Sequence, residues 1–240
     1  GFGSVARYMA GTVRELGVDV RSLPIHVVVL EALGRNAGWT TAAAALAREQ
    51  EGDAPHLLYP PERPFHEDEF LDRVGDMYRK LGGVVVVASE GLHDDEGKPI
   101  VPPIFQTGRS TYFGDVSSHL AQLGVRRLGI KARSEKPGIL ARASIAWQSP
   151  VDAAEAEEAG RASCRAVLAG ETGQMVAFRR VSSAPYRCET FLVPIEEVML
   201  GERVLLAEYL TAGGTDVTEA FCGWCRPLLG PELPSMARLF

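Results

Sequence analysis

The stretch His26 to Trp39, His-Val-Val-Val-Leu-Glu-Ala-Leu-Gly-Arg-Asn-Ala-Gly-Trp, constrains this chain most. Its β-branched and apolar run predicts a strand buried on both faces, which requires packed layers above and below a sheet. Gly34 ends the run, and glycine can turn sharply and let a ligand approach the backbone. An alanine-rich helix is expected from Thr40 to about Glu51. Strand, glycine turn and helix N-terminus together form an anion site at the carboxyl end of a sheet strand. Arg35 stands where an anionic group would be held.

The same alternation continues along the chain and predicts an α/β fold, a mostly parallel sheet with helices on both faces. A helix is expected over Gly3 to Leu16 with Ser4 as its N-cap, then a strand from Ile25 to Leu33. A strand at His56 to Tyr59, a helix at His66 to Leu81 and a continuously apolar strand at Val84 to Ser89 follow. Acidic Glu67, Asp68 and Glu69 suit the first turn of that helix, where its dipole favours negative charge. Asp94 to Pro99 reads as a turn. Further on lie a short helix at Ser117 to Leu123, capped by Asp115 or the serines, and a strand at Leu128 to Ala132. A helix from Ala153 to Leu168 and a strand from Met175 to Arg180 come next, with a mixed tail from Pro185. Ser149-Pro150-Val151-Asp152 marks a turn into a new helix, with Asp152 as its N-cap, and sets a domain boundary near residues 148–150.

With 240 residues and a formal net charge of -6, the chain carries no long basic run, which argues against nucleic acid or a membrane surface as partner. No apolar stretch is long enough to span a bilayer and no signal peptide is evident, so a cytoplasmic protein is expected. Cys164, Cys188, Cys222 and Cys225 make no disulfide framework. Cys222-Gly-Trp-Cys225 has redox-motif spacing but no strand-led unit before it and no second pair to complete a zinc set. Structural thiols are the preferred reading. His56, His66, His93 and His119 show no metal-ligand spacing with one another, and Gly1-Phe-Gly3 makes no dinucleotide fingerprint.

Glu31-Ala-Leu-Gly-Arg-Asn-Ala-Gly-Trp39 resembles the Glu-x-Met-Gly-Arg-x-x-Gly block of the 6-phosphofructokinases, and its Asn-Ala-Gly-Trp end is most similar to the pyrophosphate-dependent branch. Further blocks resemble that family in order: Leu58-Tyr59-Pro60-Pro61-Glu62, Val84 to Gly91, Lys131-Ala132-Arg133, Pro137 to Arg142, Val151-Asp152, Gly170 to Val176 and Pro227-Leu228-Leu229-Gly230. The resemblance implies a phosphofructokinase-like, Rossmann-like three-layer fold with an incomplete second domain. Residues 1–148 would form the sugar-phosphate-binding domain. Residues 149–240 would return to the phosphoryl-donor domain and end in a tail.

By this resemblance, Leu33, Gly34 and Arg35 hold the sugar of fructose 6-phosphate, and Glu90 binds a sugar hydroxyl. Arg133 and Arg142 match the paired sugar-phosphate arginines, whose planar forks give two parallel charge-assisted bonds to phosphate. Ile139 stands where the family usually has His or Tyr on that phosphate. Leu33 replaces a methionine, and His26 an arginine that reaches a neighbouring subunit in many tetrameric members. The bland alternatives are a tight turn with an exposed arginine, a capping or salt-bridged Glu90, and a solvated basic loop at residues 131–142.

Phosphoryl transfer needs a phosphate-cradling loop, a metal and a base. The family's Gly-Gly-Asp and Thr-Ile-Asp-Asn-Asp blocks occur nowhere in this sequence, so no catalytic residue is assigned. The chain opens mid-unit, as a carboxyl-terminal part would. The resemblance implies an intact enzyme, a homo-oligomer, that phosphorylates fructose 6-phosphate from pyrophosphate or ATP with Mg2+, and a fragment inactive by itself. The other reading is a non-catalytic sugar-phosphate-binding or regulatory subunit of the same fold.

Overall fold

A computed structural model describes residues 1–23, 25–108, 110–199 and 201–237. Four parallel strands form its centre, β1 (Val27–Ala32), β2 (Leu57–Tyr59), β3 (Val84–Ser89) and β6 (Ala132–Glu135), in the order β2-β3-β1-β6. Register is set pair by pair, with Val27 opposite Val84 and Ala132, and Leu57 opposite Val86.

Every residue of β1, β2 and β3 is buried. Successive side chains leave a strand on opposite faces, and two cores result. Val28, Leu30, Leu58, Val85 and Val87 pack on one side with α1 (Phe2–Ser22), α2 (Trp39–Ala43) and the 3-10 turn Ala44–Ala47. Val27, Val29, Leu57, Val84 and Val86 pack on the other with α3 (Glu67–Leu81) and α4 (Val116–Leu123). This is the three-layer α/β architecture expected from the sequence.

α3 begins with Glu67, Asp68 and Glu69, carries Arg79 and Lys80 in its last turn, and ends at Gly82 with a φ of 73°. Two antiparallel hairpins stand apart from the sheet. They are β4 (Pro103–Thr107) with β5 (Ser110–Phe113), and β7 (Gln174–Ser183) with β8 (Tyr186–Pro194). α5 (Ile139–Ala143) and α6 (Pro150–Leu168) follow β6, and α7 (Glu219–Cys225) lies beyond β8.

Several local expectations change. The alanine-rich helix gives way to a 3-10 turn after five residues, where Ala44 to Ala47 pass into the core. The expected strand at Leu128 to Ala132 begins only at Ala132, because Gly124–Leu128 extends α4 as a π-helical turn. β8 forms within what read as a mixed tail.

Three caps are exchanged. α1 starts at Phe2, so Ser4 lies inside it, and its hydroxyl accepts from the Ser149 N–H at 2.9 Å. Ser149, not Asp152, caps α6 by accepting from the Val151 and Asp152 N–H groups. The Asp152 carboxylate reaches α1 instead, accepting from the N–H groups of Gly3 at 3.2 Å and Ser4 at 2.6 Å. Asp115 holds the N-cap position of α4 as expected, but neither its side chain nor a serine's makes a capping bond there. Glu31 on β1 does so, accepting from the Ser117 N–H at 3.0 Å.

Candidate functional site

β1 and β3 run side by side and end together, so the segments that follow them meet. Gly34 takes a φ of 125°, and a Cβ there would lie 2.4 Å from the Ala37 carbonyl oxygen. The Gly34 N–H donates to Glu90 Oε1 at 3.0 Å. Ser89 Oγ, fully buried, donates to the Gly34 carbonyl at 2.6 Å and accepts from the Gly91 N–H at 3.0 Å. Gly91 lies directly against the Arg35 backbone, since a Cβ at 91 would sit 1.6 Å from the Arg35 carbonyl oxygen.

These contacts bring Arg35 and Glu90 to one cavity of about 280 Å3, whose wall also includes Asn36, His93 and Phe113. The Arg35 guanidinium lies 5.2 Å from the centre of the Phe113 ring. It has no carboxylate partner among the described residues, and neither do Arg133 and Arg142, unlike the paired Arg14, Arg48, Arg73 and Arg127. A guanidinium stacked on an aromatic ring keeps its orientation and its free N–H fork. Glu90 Oε2 stays available beside it, since only Oε1 is engaged by Gly34. The pair can therefore take a ligand that carries both an anionic group and a hydroxyl donor.

Leu33, Gly34, Arg35 and Glu90 are thus gathered at one sheet edge. Arg133, Ile139 and Arg142 are elsewhere. Arg133 pairs in register with Val28 on the edge strand β6, well short of the strand ends that carry Arg35. It lines a separate hollow with Ser118, Gln122, Arg126 and Glu135. Ile139 opens α5 and is 67% exposed, and Arg142 lies in the last turn of that helix, also exposed.

The two groups are linked by residues the sequence reading passed over. Glu31 is only 4% exposed on β1, two positions before Leu33, and Lys136 Nζ sits 3.1 Å from its Oε1 while also pairing with Asp115. Burial works against the Lys136 ammonium, but bonds from Asp115 and Glu31 outweigh it and leave its pKa raised. The signal for Glu31 was a lone carboxylate in an apolar strand, which must be paired to be buried. Ser89 gave a weaker one, a hydroxyl closing a valine run.

His26 lies at the opposite, N-terminal end of β1, with its ring centre 5.1 Å from that of Tyr78. Cys222 and Cys225 are buried free thiols on α7, next to the aromatic cluster of Trp39, Tyr209, Phe221 and Trp224. Burial pushes the Cys225 thiol up, so it stays protonated. Among the described residues no three His, Cys, Asp or Glu side chains gather into a metal-binding set.

The Phosphofructokinase family model matches residues 1–167. The chain belongs to the phosphofructokinase family. It is 35% identical over 239 residues to the pyrophosphate–fructose 6-phosphate 1-phosphotransferase of Xanthomonas campestris pv. campestris, covering 98% of this chain and 57% of that protein. The enzyme of the same name from Rhodospirillum rubrum is 34% identical, over 100% of this chain and 61% of its own length. The crystal structure of a pyrophosphate-dependent phosphofructokinase from Marinobacter aquaeolei matches with a TM-score of 0.84 and 32% identity, over 99% of this chain and 57% of that one. The chain therefore spans about three fifths of the length of these relatives. No helix among its described residues is long and apolar enough to cross a membrane.

Proposed function

We propose that this chain carries the fructose 6-phosphate site of a pyrophosphate-dependent phosphofructokinase. The observation that supports it most is the Glu90–Gly34 hydrogen bond, which puts a free guanidinium and a half-engaged carboxylate at one cavity. In this reading Arg35 holds negative charge on the bound sugar phosphate. Glu90 Oε2 accepts from a sugar hydroxyl, and Leu33 and Gly34 lead the chain into Arg35 without lining the cavity themselves. Arg133 and Arg142 lie outside this cavity, so their assignment to the 6-phosphate rests on the resemblance alone, and Ile139 between them contributes no polar contact.

The intact enzyme would transfer a phosphoryl group in line to the 1-hydroxyl of fructose 6-phosphate, yielding fructose 1,6-bisphosphate. Pyrophosphate is the favoured donor because the relatives above carry it in their names. The donor loop, the base and the magnesium ligands belong to a part of the enzyme outside this chain, so the chain by itself turns nothing over. Residues 149–240 are read as the return to that donor part. α6 has no buried residue, and Val167 and Leu168 are 73% and 88% exposed, as expected of a helix that packs against something further. A cytoplasmic homo-oligomer is the expected setting.

Exposed Ile139 favours a second reading, a sugar-phosphate-binding subunit without turnover. Calorimetric titration with fructose 6-phosphate, with inorganic phosphate as control, tests the site. Saturable binding weakened roughly tenfold or more by Arg35→Ala supports it, since a bond to a charged group contributes about 1.5–3 kcal/mol. Arg142→Ala tests the second group in the same way. Folded protein that binds neither ligand removes the assignment. Turnover by a longer chain joined to its donor part separates enzyme from binding subunit.

A further inference from the structure

Glu62 follows Pro60-Pro61 at the end of β2, outside the cavity of Arg35 and without a role in the reading above. Its Oε1 accepts from two backbone N–H groups that are far apart in sequence, Gly38 at 2.8 Å and Leu205 at 2.7 Å. Oε2 is buried and has no partner among the described residues. Gly38 admits this carboxylate because it has no side chain. A Cβ there would lie 2.5 Å from Glu62 Oε2 and 2.5 Å from Pro60 Cβ.

Two more bonds join the same two segments. Asn36 Nδ2 donates to Glu202 Oε1 at 2.6 Å, and Trp39 Nε1 donates to the Arg203 carbonyl at 2.6 Å. Residues 202–205 thus lie as a strap over the turn from Gly34 to Trp39. Glu90 holds that turn at its first residue, and Glu62 holds it four residues later. A surface turn rich in glycine has many conformations open to it, and fixing both ends selects one.

We infer that Glu62 is a positioning residue, whose single oxygen Oε1 clamps the Arg35 turn to the 202–205 strap and so sets where the guanidinium points. The link to substrate rests on the fructose 6-phosphate reading above. The clamp itself rests only on the hydrogen bonds.

The test uses the whole chain as Glu62→Ala and Glu62→Gln, read by fructose 6-phosphate titration and by amide hydrogen exchange at Gly38 and Leu205. Glu62→Ala should weaken binding about tenfold and speed exchange at both amides by about the same factor. Glu62→Gln should restore both to within about threefold, because an amide oxygen still accepts while the NH2 replaces the oxygen that has no partner. Asp152→Ala, which removes a distant cap, should move neither readout and so controls for general loss of stability.

Unchanged affinity in Glu62→Ala, with Arg35→Ala still weakening it, overturns the positioning role and leaves the site assignment intact. A parent chain that binds no fructose 6-phosphate removes that assignment instead. The clamp is then judged on the amides alone, standing if Gly38 and Leu205 respond together and falling if they do not.

Discussion

Glu90 Oε1 and the Gly34 N–H, 3.0 Å apart, join the ends of two neighbouring parallel strands. The bond uses one carboxylate oxygen to shape the turn and leaves the other unengaged on a residue that lines the cavity. In the proposed reading, structure and ligand binding are therefore coupled in one side chain. Glu90→Ala should cost about 1–2 kcal/mol in urea unfolding, the penalty for a part-buried N–H left unpaired. It should also weaken fructose 6-phosphate in calorimetry. Glu90→Gln should recover most of the stability. Wild-type affinity in the alanine variant would show that the carboxylate touches no ligand.

Gly91→Ala should damage the same site by a different route. The added methyl would have to displace the Arg35 carbonyl, which is backbone and cannot swing away. Overpacking of this kind costs roughly 1–3 kcal/mol. Thermal unfolding and titration should both respond, and a stable variant with intact binding would mean that the two loops are not in contact.

Asp152→Ala isolates stability from binding. The carboxylate accepts from two first-turn N–H groups of α1. Loss of a cap costs about 1 kcal/mol. Urea unfolding should show that loss while the affinity for fructose 6-phosphate stays put. A large drop in affinity would place Asp152 in the binding machinery.

His56 makes stability depend on pH. Burial, reinforced by Arg21 and Arg48, lowers its pKa to about 4, and its Nδ1 accepts from the Val85 N–H at 2.8 Å. The unfolded chain, with an ordinary histidine pKa near 6.5, binds this proton more readily than the folded chain does. The stabilisation is complete above about pH 6.5 and is lost as pH falls toward 4. Unfolding free energy measured across that window should decline by about 3 kcal/mol at most, and His56→Gln should flatten this part of the curve. An unchanged slope in the variant would assign the decline to other groups.

The valine runs of β1 and β3 were readable as doubly buried strands because burial on both faces erases alternation and leaves continuous apolar sequence. Gly34 was readable as the turn between strand and helix, and Glu90 as a strand-end carboxylate on the same edge. The helix after Trp39 was not readable at its true length. Alanine favours a helix locally, but packing of Ala44 to Ala47 into the core overrides that preference. Asp152 and Ser149 show the same limit. Both sit at a helix start with capping side chains, and only the approach of α1 decides which helix Asp152 serves.

By itself the sequence determined the α/β class, the sheet edge that carries Leu33, Gly34, Arg35 and Glu90, and the family resemblance. Each rests on local periodicity or on residue types at fixed spacing. Tertiary structure alone decided that Ser89 and Glu90 hold Gly34, that Glu62 ties Gly38 to Leu205, that Glu31 caps α4, and that Arg133 faces another hollow. These pairings link residues from 24 to 143 positions apart. A hydrogen bond depends on distances of about 3 Å in space, and a linear pattern carries no such distance.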